Sequence, residues 1–228
     1  MVVNVLIVPN ENAILVDTEF GEYYCINGNF YPRVTSIFKG FTPIRKSKWA
    51  PDAATLGTML HYLILSKYKA HKLPVTQIWK LPQDEVYAIR KSGLCMWHQI
   101  KDKIKVMDVE IPVYHCLPNY AGRIDMVCEI EGKRYVGDIK TGNFYPYYPM
   151  QLAAYFQTIK TKYDLDGAVI FHIDINQDRN PDKKPNIILY SKEELRKPLL
   201  EFNKLAIEFN DKLDHYIKTY NIQVPNLV

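Results

Sequence analysis

Cysteine is scarce in this sequence, and the few cysteines stand far apart. There are four among 228 residues, with no Cys-x-x-Cys pair and no tight cluster. They are Cys25, Cys95, Cys116 and Cys128. Zinc knuckles and disulfide frameworks need clustered or regularly spaced cysteines, so the sequence predicts neither. We expect four reduced thiols, most of them buried, because free cysteine is among the most buried residue types.

Long apolar runs are also missing. The longest stretches, 2–8 and 60–65, are interrupted by polar residues such as Asn4 and His61. Neither approaches the roughly 20 apolar residues of a membrane-spanning helix. The N-terminus also lacks the basic and apolar regions that make up a signal peptide. These absences predict a cytoplasmic protein with no membrane partner.

Charge of one sign does not dominate the sequence. The 29 Lys and Arg exceed the 25 Asp and Glu by four, which gives a formal net charge of +4. A mildly basic chain is compatible with a polyanionic partner but does not by itself indicate one. Hydrophobic residues make up 47% and charged residues 24%, values near the globular average that exclude disordered and fibrous proteins.

No internal repeat, low-complexity tract or interdomain linker is visible. The longest polar stretch, 174–185, has the composition of an exposed loop between strands. We therefore predict a single domain over 1–228. It begins with N-terminal strands and a basic segment over 1–50, continues with a core over 51–175 and ends with a strand and a helix over 186–228.

Apolar periodicity predicts an α/β fold. The first 37 residues have the pattern of short strands. Helical spacing predicts helices over 52–69, 83–105, 147–162 and from the Ser191–Glu194 capping box onward. Period-two alternation predicts strands over 106–115, 122–130, 134–140, 168–173 and 186–190. We expect a mixed central sheet flanked by helices, in which an antiparallel meander leads into one right-handed parallel βαβ crossover.

Alternation also predicts which strand residues share a face. In the strand over 106–115, the apolar face should lie opposite Glu110, and it holds Val109, Ile111 and Val113. In the strand over 122–130, the apolar face should lie opposite Asp125, and it holds Ile124, Met126, Cys128 and Ile130. Asp138 and Lys140 should share one face of the next strand, together with Val136.

Two carboxylates and a lysine are the most informative residues. Asp125 and Asp138 lie on adjacent strands of the predicted hairpin and can converge on one hard cation. Magnesium usually keeps several waters besides one or two carboxylates. Lys140 follows Asp138 by two residues, so its ammonium can reach an attacking water or a phosphate oxygen beside the metal. This combination predicts metal-assisted phosphodiester hydrolysis.

Two predicted helices carry further polar candidates. His61 can add a nitrogen ligand, and Gly57 lies one turn earlier on the same helix face, where a glycine lets the helix approach the sheet closely. Gln151 and Tyr155 are four residues apart and share a helix face distinct from the apolar one. An amide and a phenol directed at one site suit a phosphate or a base.

Each candidate also has a plainer interpretation. The two aspartates are then exposed strand acids paired with Arg123 or Lys140. The histidine is a residue at the edge of the core, hydrogen-bonded to backbone. The glutamine and tyrosine form a solvated helix face, and Glu110 is an ordinary exposed strand acid.

The order of these residues resembles the PD-(D/E)XK nuclease superfamily, and within it the RecB-like and phage exonuclease branch. The shared elements are Gly57-x-x-x-His61, Glu110, Gly122-x-x-Asp125, Asp138-x-Lys140-Thr141 and Gln151-x-x-x-Tyr155. The lead-in over 31–37 and the segment from Trp49 to His61 are similar to that branch as well. The resemblance covers roughly residues 30–160 and implies a restriction-endonuclease-like core.

The resemblance also implies a role for each matching residue. The implied metal ligands, for Mg²⁺ or Mn²⁺, are His61, Asp125, Asp138 and the backbone carbonyl of Ile139. The implied catalytic residues are Lys140, Asp125, Asp138, Glu110, Gln151 and Tyr155. Among these, the lysine is the catalytic lysine, the Gln–Tyr pair is the helix motif of the branch, and the glutamate is an acid just before the aspartate strand.

Two departures from the family pattern stand out. Ile124 takes the place of the proline that precedes the first aspartate, a position that is poorly kept in the family. The CRISPR-associated RecB-like nucleases hold an iron–sulfur cluster with one N-terminal cysteine and three that follow the helix motif. Here no cysteine follows Cys128, so we expect no iron–sulfur cluster.

The function implied is a metal-dependent DNA exonuclease that acts on ends or single strands in recombination, repair or replication. The phage-like lead-in suggests a viral source and hence the host cytoplasm. One alternative is a structure-specific endonuclease acting on DNA or RNA. Another is a non-catalytic nucleic-acid-binding subunit on a nuclease fold, but an inactive relative is expected to have lost Asp138 or Lys140.

Two further features bear on nucleic-acid binding. The chain has 17 tyrosines, most of which we expect to be structural. Tyr145, Tyr147 and Tyr148 follow the predicted catalytic lysine closely and are candidates for stacking on unpaired bases. A basic segment, 39–48, holds four Lys and Arg and no acid. It is either a contact to the phosphate backbone or a solvated loop.

Replacing Arg45, Lys46 and Lys48 together with Ala tests the phosphate-contact interpretation. We expect weaker DNA binding that is roughly uniform across sequences, because phosphate contacts carry no sequence information. The salt dependence of binding should flatten by up to about 0.7 to 0.9 units of slope for each phosphate that the variant no longer neutralises. Anisotropy titrations at several salt concentrations measure this, and turnover at saturating DNA should survive. A salt slope equal to that of wild type would assign the segment to a solvated loop.

Overall fold

The computed structural model describes residues 6–7, 13–18, 21–26, 29–40, 51–68, 93–173 and 186–221. The strands of this part are β1 (Leu6–Ile7), β2 (Ala13–Thr18), β3 (Gly21–Ile26), β4 (Asn29–Pro32), β5 (Lys105–Cys116), β6 (Asn119–Ile130), β7 (Lys133–Thr141), β8 (Gly167–Ile173) and β9 (Asn186–Ser191). The α-helices are α1 (Val34–Lys39), α2 (Pro51–Leu65), α3 (Leu94–Ile100), α4 (Tyr148–Tyr163) and α5 (Arg196–Thr219).

The main sheet has five strands in the order β5-β6-β7-β8-β9. All neighbouring pairs are antiparallel except β7 and β8, which are parallel and are joined through α4. Helices flank this sheet, since parallel neighbours need a long crossover and a helix supplies it. The predicted α/β class, the antiparallel meander and the parallel crossover are therefore confirmed.

A second sheet precedes the main one. Strands β1 to β4 form it, and every neighbouring pair is antiparallel. It is joined to the main sheet by a parallel bridge between Arg33 and Ala121, and Tyr31 Oη lies 3.8 Å from Cys116 Sγ. Among the described residues, the predicted strand pattern holds through Pro32 and is wrong beyond it. Val34 and Ile37 are both buried, and only a helical turn, here α1, places residues three apart on one face.

The predicted helices differ from the observed ones mainly at their ends. Helix α2 ends at Leu65, and α3 is followed by a 3₁₀ turn over Lys101–Lys103 that leads into β5. The predicted residues 83–92 and the loop 174–185 lie outside the described part of the chain. The capping box is confirmed, because Ser191 N–H donates to Glu194 Oε2 at 2.7 Å, although α5 begins only at Arg196.

The four cysteines are free thiols, as predicted. Cys25 and Cys128 are buried, whereas Cys95 and Cys116 are exposed. Two of the four are therefore buried, rather than the majority that we expected. Burial raises the pKa of Cys128 to about 12, so this thiol stays protonated. In the described part of the chain, no helix is long and apolar enough to cross a membrane.

Two hydrophobic cores pack against the main sheet. The first core joins the sheet to α4 and α5 and contains Leu152 and Phe202. The second core joins the sheet to α2 and α3 and contains Leu60, Trp97 and Phe171. The sheet therefore forms the middle layer, with its own apolar side chains divided between the two cores.

The face alternation along β5 and β6 breaks between the two cores. Val109 and Met126 pack in the second core, whereas Ile111 and Ile124 pack in the first. The prediction that Val109 shares a face with Ile111, and Ile124 with Met126, is therefore wrong. Glu110 lies at the break with a φ of 53°, a left-handed conformation that reverses the alternation of the strand.

Gly167→Ala tests how closely β8 and β9 must approach. A Cβ at this position would collide with the carbonyl oxygen of Tyr190, and a backbone atom cannot turn aside. We expect a loss of about 1–3 kcal/mol in the free energy of unfolding, the usual cost of overpacking. Gly93→Ala is the comparison, because the added Cβ there meets the Leu60 side chain, which can shift, rather than backbone atoms. Equal stabilities of the two variants in urea titrations would contradict this account.

Candidate active site

The site forms where the main sheet divides. Pairing between β6 and β7 ends at Met126 and Gly137; beyond these residues β6 continues beside β5, and β7 beside β8. Asp125 lies at this division, where its Oδ2 accepts the Ile139 N–H at 2.7 Å. The carboxylate thus accepts a hydrogen bond from a backbone N–H that has no partner on the neighbouring strand. A buried N–H requires such an acceptor.

Asp138 and Lys140 project from β7 to the same side, as predicted from their spacing. Asp138 is buried, and its Oδ2 lies 2.5 Å from Lys140 Nζ. Lys140 Nζ also donates to Gln151 Oε1 at 2.9 Å and lies 4.8 Å from the centre of the Tyr148 ring. The ammonium group is therefore held by a carboxylate, an amide and a ring face at once.

His61 reaches the site from α2. Its Nδ1 lies 3.3 Å from Asp125 Oδ1, so its partner is a carboxylate at the division of the sheet. The predicted close approach at Gly57 is confirmed, because a Cβ there would lie 3.1 Å from Thr141 Oγ1. A Cβ at Gly57 would therefore require its neighbour Thr141 to give by a few tenths of an ångström.

Gln151 and Tyr155 reach the site from α4, on the opposite side of the sheet division. Both are buried, so the solvated-face interpretation is wrong. Gln151 Nε2 lies 3.5 Å from Tyr155 Oη. The Tyr155 ring rests against Gly122, where a Cβ would lie 2.8 Å from ring atoms. This contact explains a glycine three residues before Asp125.

Glu110 and Ile139 lie beside the carboxylates. Glu110 Oε2 accepts from Arg123 Nη1 at 3.0 Å, across the β5–β6 ladder. Ile139 contributes its N–H to Asp125, while ligation through its carbonyl stays a prediction. The structure thus brings His61, Asp125, Asp138, Lys140, Gln151 and Tyr155 together, with Glu110 at the edge.

The two aspartates have opposite electrostatic environments. Burial alone would raise the pKa of Asp125, but the charge and hydrogen bond of His61 outweigh it and hold that pKa well below its usual range. Burial lowers the pKa of His61, and Asp125 more than reverses that effect. Burial raises the pKa of Asp138 well above its usual range, opposed by Lys140 and reinforced by the Asp125 charge. One carboxylate is therefore stably ionised, and the other resists ionisation in the absence of more positive charge.

The donor set fits a hard divalent cation. Among the described residues, no three His, Cys, Asp or Glu side chains are already arranged as a metal centre. Magnesium does not require three, since one or two carboxylates and water usually hold it. Within the same residues, the buried Asp138 Oδ2 makes no hydrogen bond of regular geometry, despite the nearby Lys140 ammonium. A cation beside this oxygen would satisfy it and favour the ionised carboxylate.

Arg33, for which the sequence pattern predicts no role, lies near the site in the structure. Its backbone pairs with Ala121, next to Gly122. Burial raises the pKa of Tyr155, and the Arg33 charge partly offsets that rise, so the guanidinium lies within electrostatic reach of the phenol. The signal that points to Arg33 is its position within the lead-in over 31–37. The other basic candidates, Arg45, Lys46 and Lys48, lie outside the described residues.

Comparisons with known proteins do not assign this chain to a family. No family model matches the sequence, and no curated protein matches it. Among solved structures, the crystal structure of SSO0001 matches 70% of this chain and 73% of that chain at 18% identity, with a TM-score of 0.30. A likeness at that level carries no argument about fold or function.

Asp138→Asn should stabilise the metal-free protein at about pH 8. The raised pKa of Asp138 means that folding opposes its ionisation, so wild type loses stability as pH rises through that pKa. The amide keeps the shape without the charge. We expect a rise of a few degrees in Tm, since about 1 kcal/mol corresponds to roughly 2–4 °C in a chain of this size. The gain should shrink at about pH 5, where the wild-type carboxyl keeps its proton.

Thermal unfolding in EDTA, followed by circular dichroism, measures this effect. Asp125→Asn is the matched control, and it should lower Tm at about pH 8 because its charge is used by His61 and by the Ile139 N–H. A lower Tm for Asp138→Asn than for wild type at that pH would contradict the assigned environments.

Proposed function

We propose that this chain is a divalent-metal-dependent deoxyribonuclease with a restriction-endonuclease-like core, of the RecB-like branch of the PD-(D/E)XK superfamily. One observation carries the proposal. Two buried carboxylates, Asp125 and Asp138, meet where β6 and β7 part, and the half-buried Lys140 lies against the second of them. Buried like charges are costly, so such a pair is expected where a cation or a reaction needs it.

The residues suited to hold Mg²⁺ or Mn²⁺ are His61, Asp125 and Asp138, together with the Ile139 carbonyl. When bound, such a cation supplies positive charge to a phosphate oxygen and lowers the pKa of a water. His61 and Asp125 already contact each other at 3.3 Å, so the imidazole and the carboxylate are oriented before any ion arrives. This preorganisation supports a site that binds its cation from solution.

Lys140 is the residue that we assign to transition-state stabilisation. Its side chain is only 14% exposed and is held by Gln151, so its charge is fixed in a region of reduced solvent screening. A fixed ammonium can orient a water and offset the charge that grows on the phosphate oxygens. Gln151 in turn contacts Tyr155. The helix motif formed by these two residues therefore contributes to the reaction by holding the lysine in position.

The fold supports the superfamily assignment at the level of arrangement. Five motif elements that are spread over nearly 100 residues lie on the meander, on α2 and on α4, and all reach the division of one sheet. His61 and the Gln151–Tyr155 pair come from opposite faces of that sheet. A chance collection of polar residues on an α/β fold would not be expected to converge from both layers.

The proposed substrate is DNA with a free end or single-stranded character, cleaved in recombination, repair or replication. The endonuclease alternative differs in one respect, because an endonuclease does not need a free DNA end. The binding-only alternative is disfavoured because Asp138 and Lys140, one of which an inactive relative is expected to have lost, are both present and contact each other.

The test is digestion of end-labelled linear and closed circular DNA with magnesium, manganese or EDTA. Wild type should cleave linear DNA only with the metals, and cleavage of closed circles would indicate the endonuclease. Lys140→Ala should lower turnover by about 10²-fold or more, the scale of losing one electrostatic stabiliser. Its DNA affinity in calcium should change little.

Lys160→Ala is the matched control for that variant. This lysine lies on α4 with its side chain exposed, away from the residues that contact Asp138. Its turnover should equal that of wild type. Normal turnover in Lys140→Ala, or cleavage that persists in EDTA, would rule out the proposed chemistry.

A further inference from the structure

Five aromatic side chains form a connected group directly after Lys140. We refer to them as the aromatic array: Phe38, Phe144, Tyr145, Tyr147 and Tyr148. Four of them occupy the short segment between β7 and the first turn of α4, and the fifth comes from α1. Each ring of that segment contacts at least one other ring in the array at a centroid distance of 5.2–5.6 Å.

Three rings of the array are stacked nearly parallel. Phe38 and Tyr147 have centroids 5.0 Å apart and an interplanar angle of 20°. Tyr147 and Tyr145 follow, with centroids 5.4 Å apart and an angle of 14°. Tyr145 ends the stack and is 44% exposed. The series thus ends in a partly exposed ring that is parallel to those behind it, an arrangement that one more flat group could extend.

The array is held in place rather than loosely exposed. His172 Nε2 donates to the Gly142 carbonyl at 2.6 Å, and Phe144 packs edge-on against the His172 ring. Tyr148 Oη donates to the Asn143 carbonyl at 3.2 Å. These contacts hold the backbone of the segment and the Phe144 and Tyr148 rings, and the Tyr145 ring packs against Tyr147 and Tyr148.

The open ring lies close to the proposed reaction centre. Lys140 Nζ lies 4.8 Å from the centre of the Tyr148 ring, and that ring lies 5.6 Å from Tyr145. The Tyr145 ring is therefore within about 10 Å of the ammonium, the combined length of the two contacts. Stacked nucleotides rise about 3.4 Å each along a strand, so this distance spans about three of them.

We propose that Tyr145, backed by Tyr147 and Phe38, is a stacking site for an unpaired base of single-stranded DNA near the scissile phosphate. The proposal rests on the proposed function and specifies its substrate. Every base has a π-face that can stack on an aromatic side chain, whereas bases inside a duplex are already stacked on one another and cannot extend the ring series. A purely structural aromatic cluster would have no need to leave its terminal ring open.

The test compares the binding of 5′-labelled oligo(dT), of the same strand with abasic sites and of a duplex, by anisotropy in EDTA. Tyr145→Leu removes the π-face and keeps an apolar side chain of similar reach. It should weaken binding of oligo(dT) by about 5- to 150-fold, the loss expected for one base–aromatic stack. Duplex affinity should change less than twofold. On the abasic strand, wild type and Tyr145→Leu should bind equally.

Two control variants accompany it. Tyr145→Phe keeps the ring and should retain wild-type affinity. Tyr220→Leu removes an exposed tyrosine beyond the end of α5, outside the array, and should change nothing. Circular dichroism establishes that each variant is folded. Equal losses on oligo(dT) and duplex, or unchanged affinity for oligo(dT) in Tyr145→Leu, would overturn the stacking site.

The binding assay contains no metal, so it does not depend on cleavage. If wild type fails to cleave any DNA while Tyr145→Leu selectively loses single-strand affinity, the nuclease proposal fails and the stacking site stands. If wild type cleaves and Tyr145→Leu binds single strands normally, the stacking site fails alone.

Discussion

The hydrogen bond from the Ile139 N–H to the Asp125 carboxylate is the interaction on which the site depends. Strands β6 and β7 stop pairing at this point, and a buried N–H left there without an acceptor would cost about 1–3 kcal/mol. A side chain from one strand takes the place of a backbone carbonyl and lets the two strands diverge. The sheet can therefore open without losing its hydrogen bonds, and the opening brings both aspartates to one place.

The opening becomes a site only because the helices on both faces of the sheet come close to it and add their side chains. Helix α2 approaches through Gly57 and delivers His61, while α4 approaches β6 through Gly122 and delivers Tyr155 and Gln151. In each case the absence of a Cβ permits a closer contact than a larger residue would allow without a shift of its neighbour. The two hydrophobic cores hold these helices in position, so packing on both faces of the sheet determines the geometry between the acids and their partners.

The electrostatic asymmetry of the two aspartates follows from their neighbours rather than from their chemistry. Asp125 has a histidine and a backbone N–H, and its charge is well compensated. Asp138 has Lys140 as its cationic neighbour and the charge of Asp125 nearby, so its ionised form is under-compensated. The proposed cation binding and the proposed lysine role both use this imbalance, and the aromatic array beside Lys140 would place a DNA strand next to it.

The class of the fold and most of the residues that converge at the division of the sheet could be predicted from sequence patterns. Alternation and helical spacing predicted the meander, the crossover helix and the capping box, because these depend on local periodicity. The spacing of Asp138 and Lys140 placed them on one face for the same reason. Local pattern also predicted the wrong faces for Val109 and Ile124, since periodicity cannot anticipate a break in alternation such as the one at the left-handed Glu110 of β5.

The assembly of the site, by contrast, depends on packing between segments that are far apart in the chain. Several features of the site join residues that are far apart in the chain. They are the division of the sheet, the burial of Gln151 and Tyr155, the position of Arg33 and the stacking of Phe38 on Tyr147. No single segment carries information about such contacts, because each depends on how two layers pack against the same strand. The physical reason is that close approach is a property of pairs of surfaces, which the sequence of either surface alone does not specify.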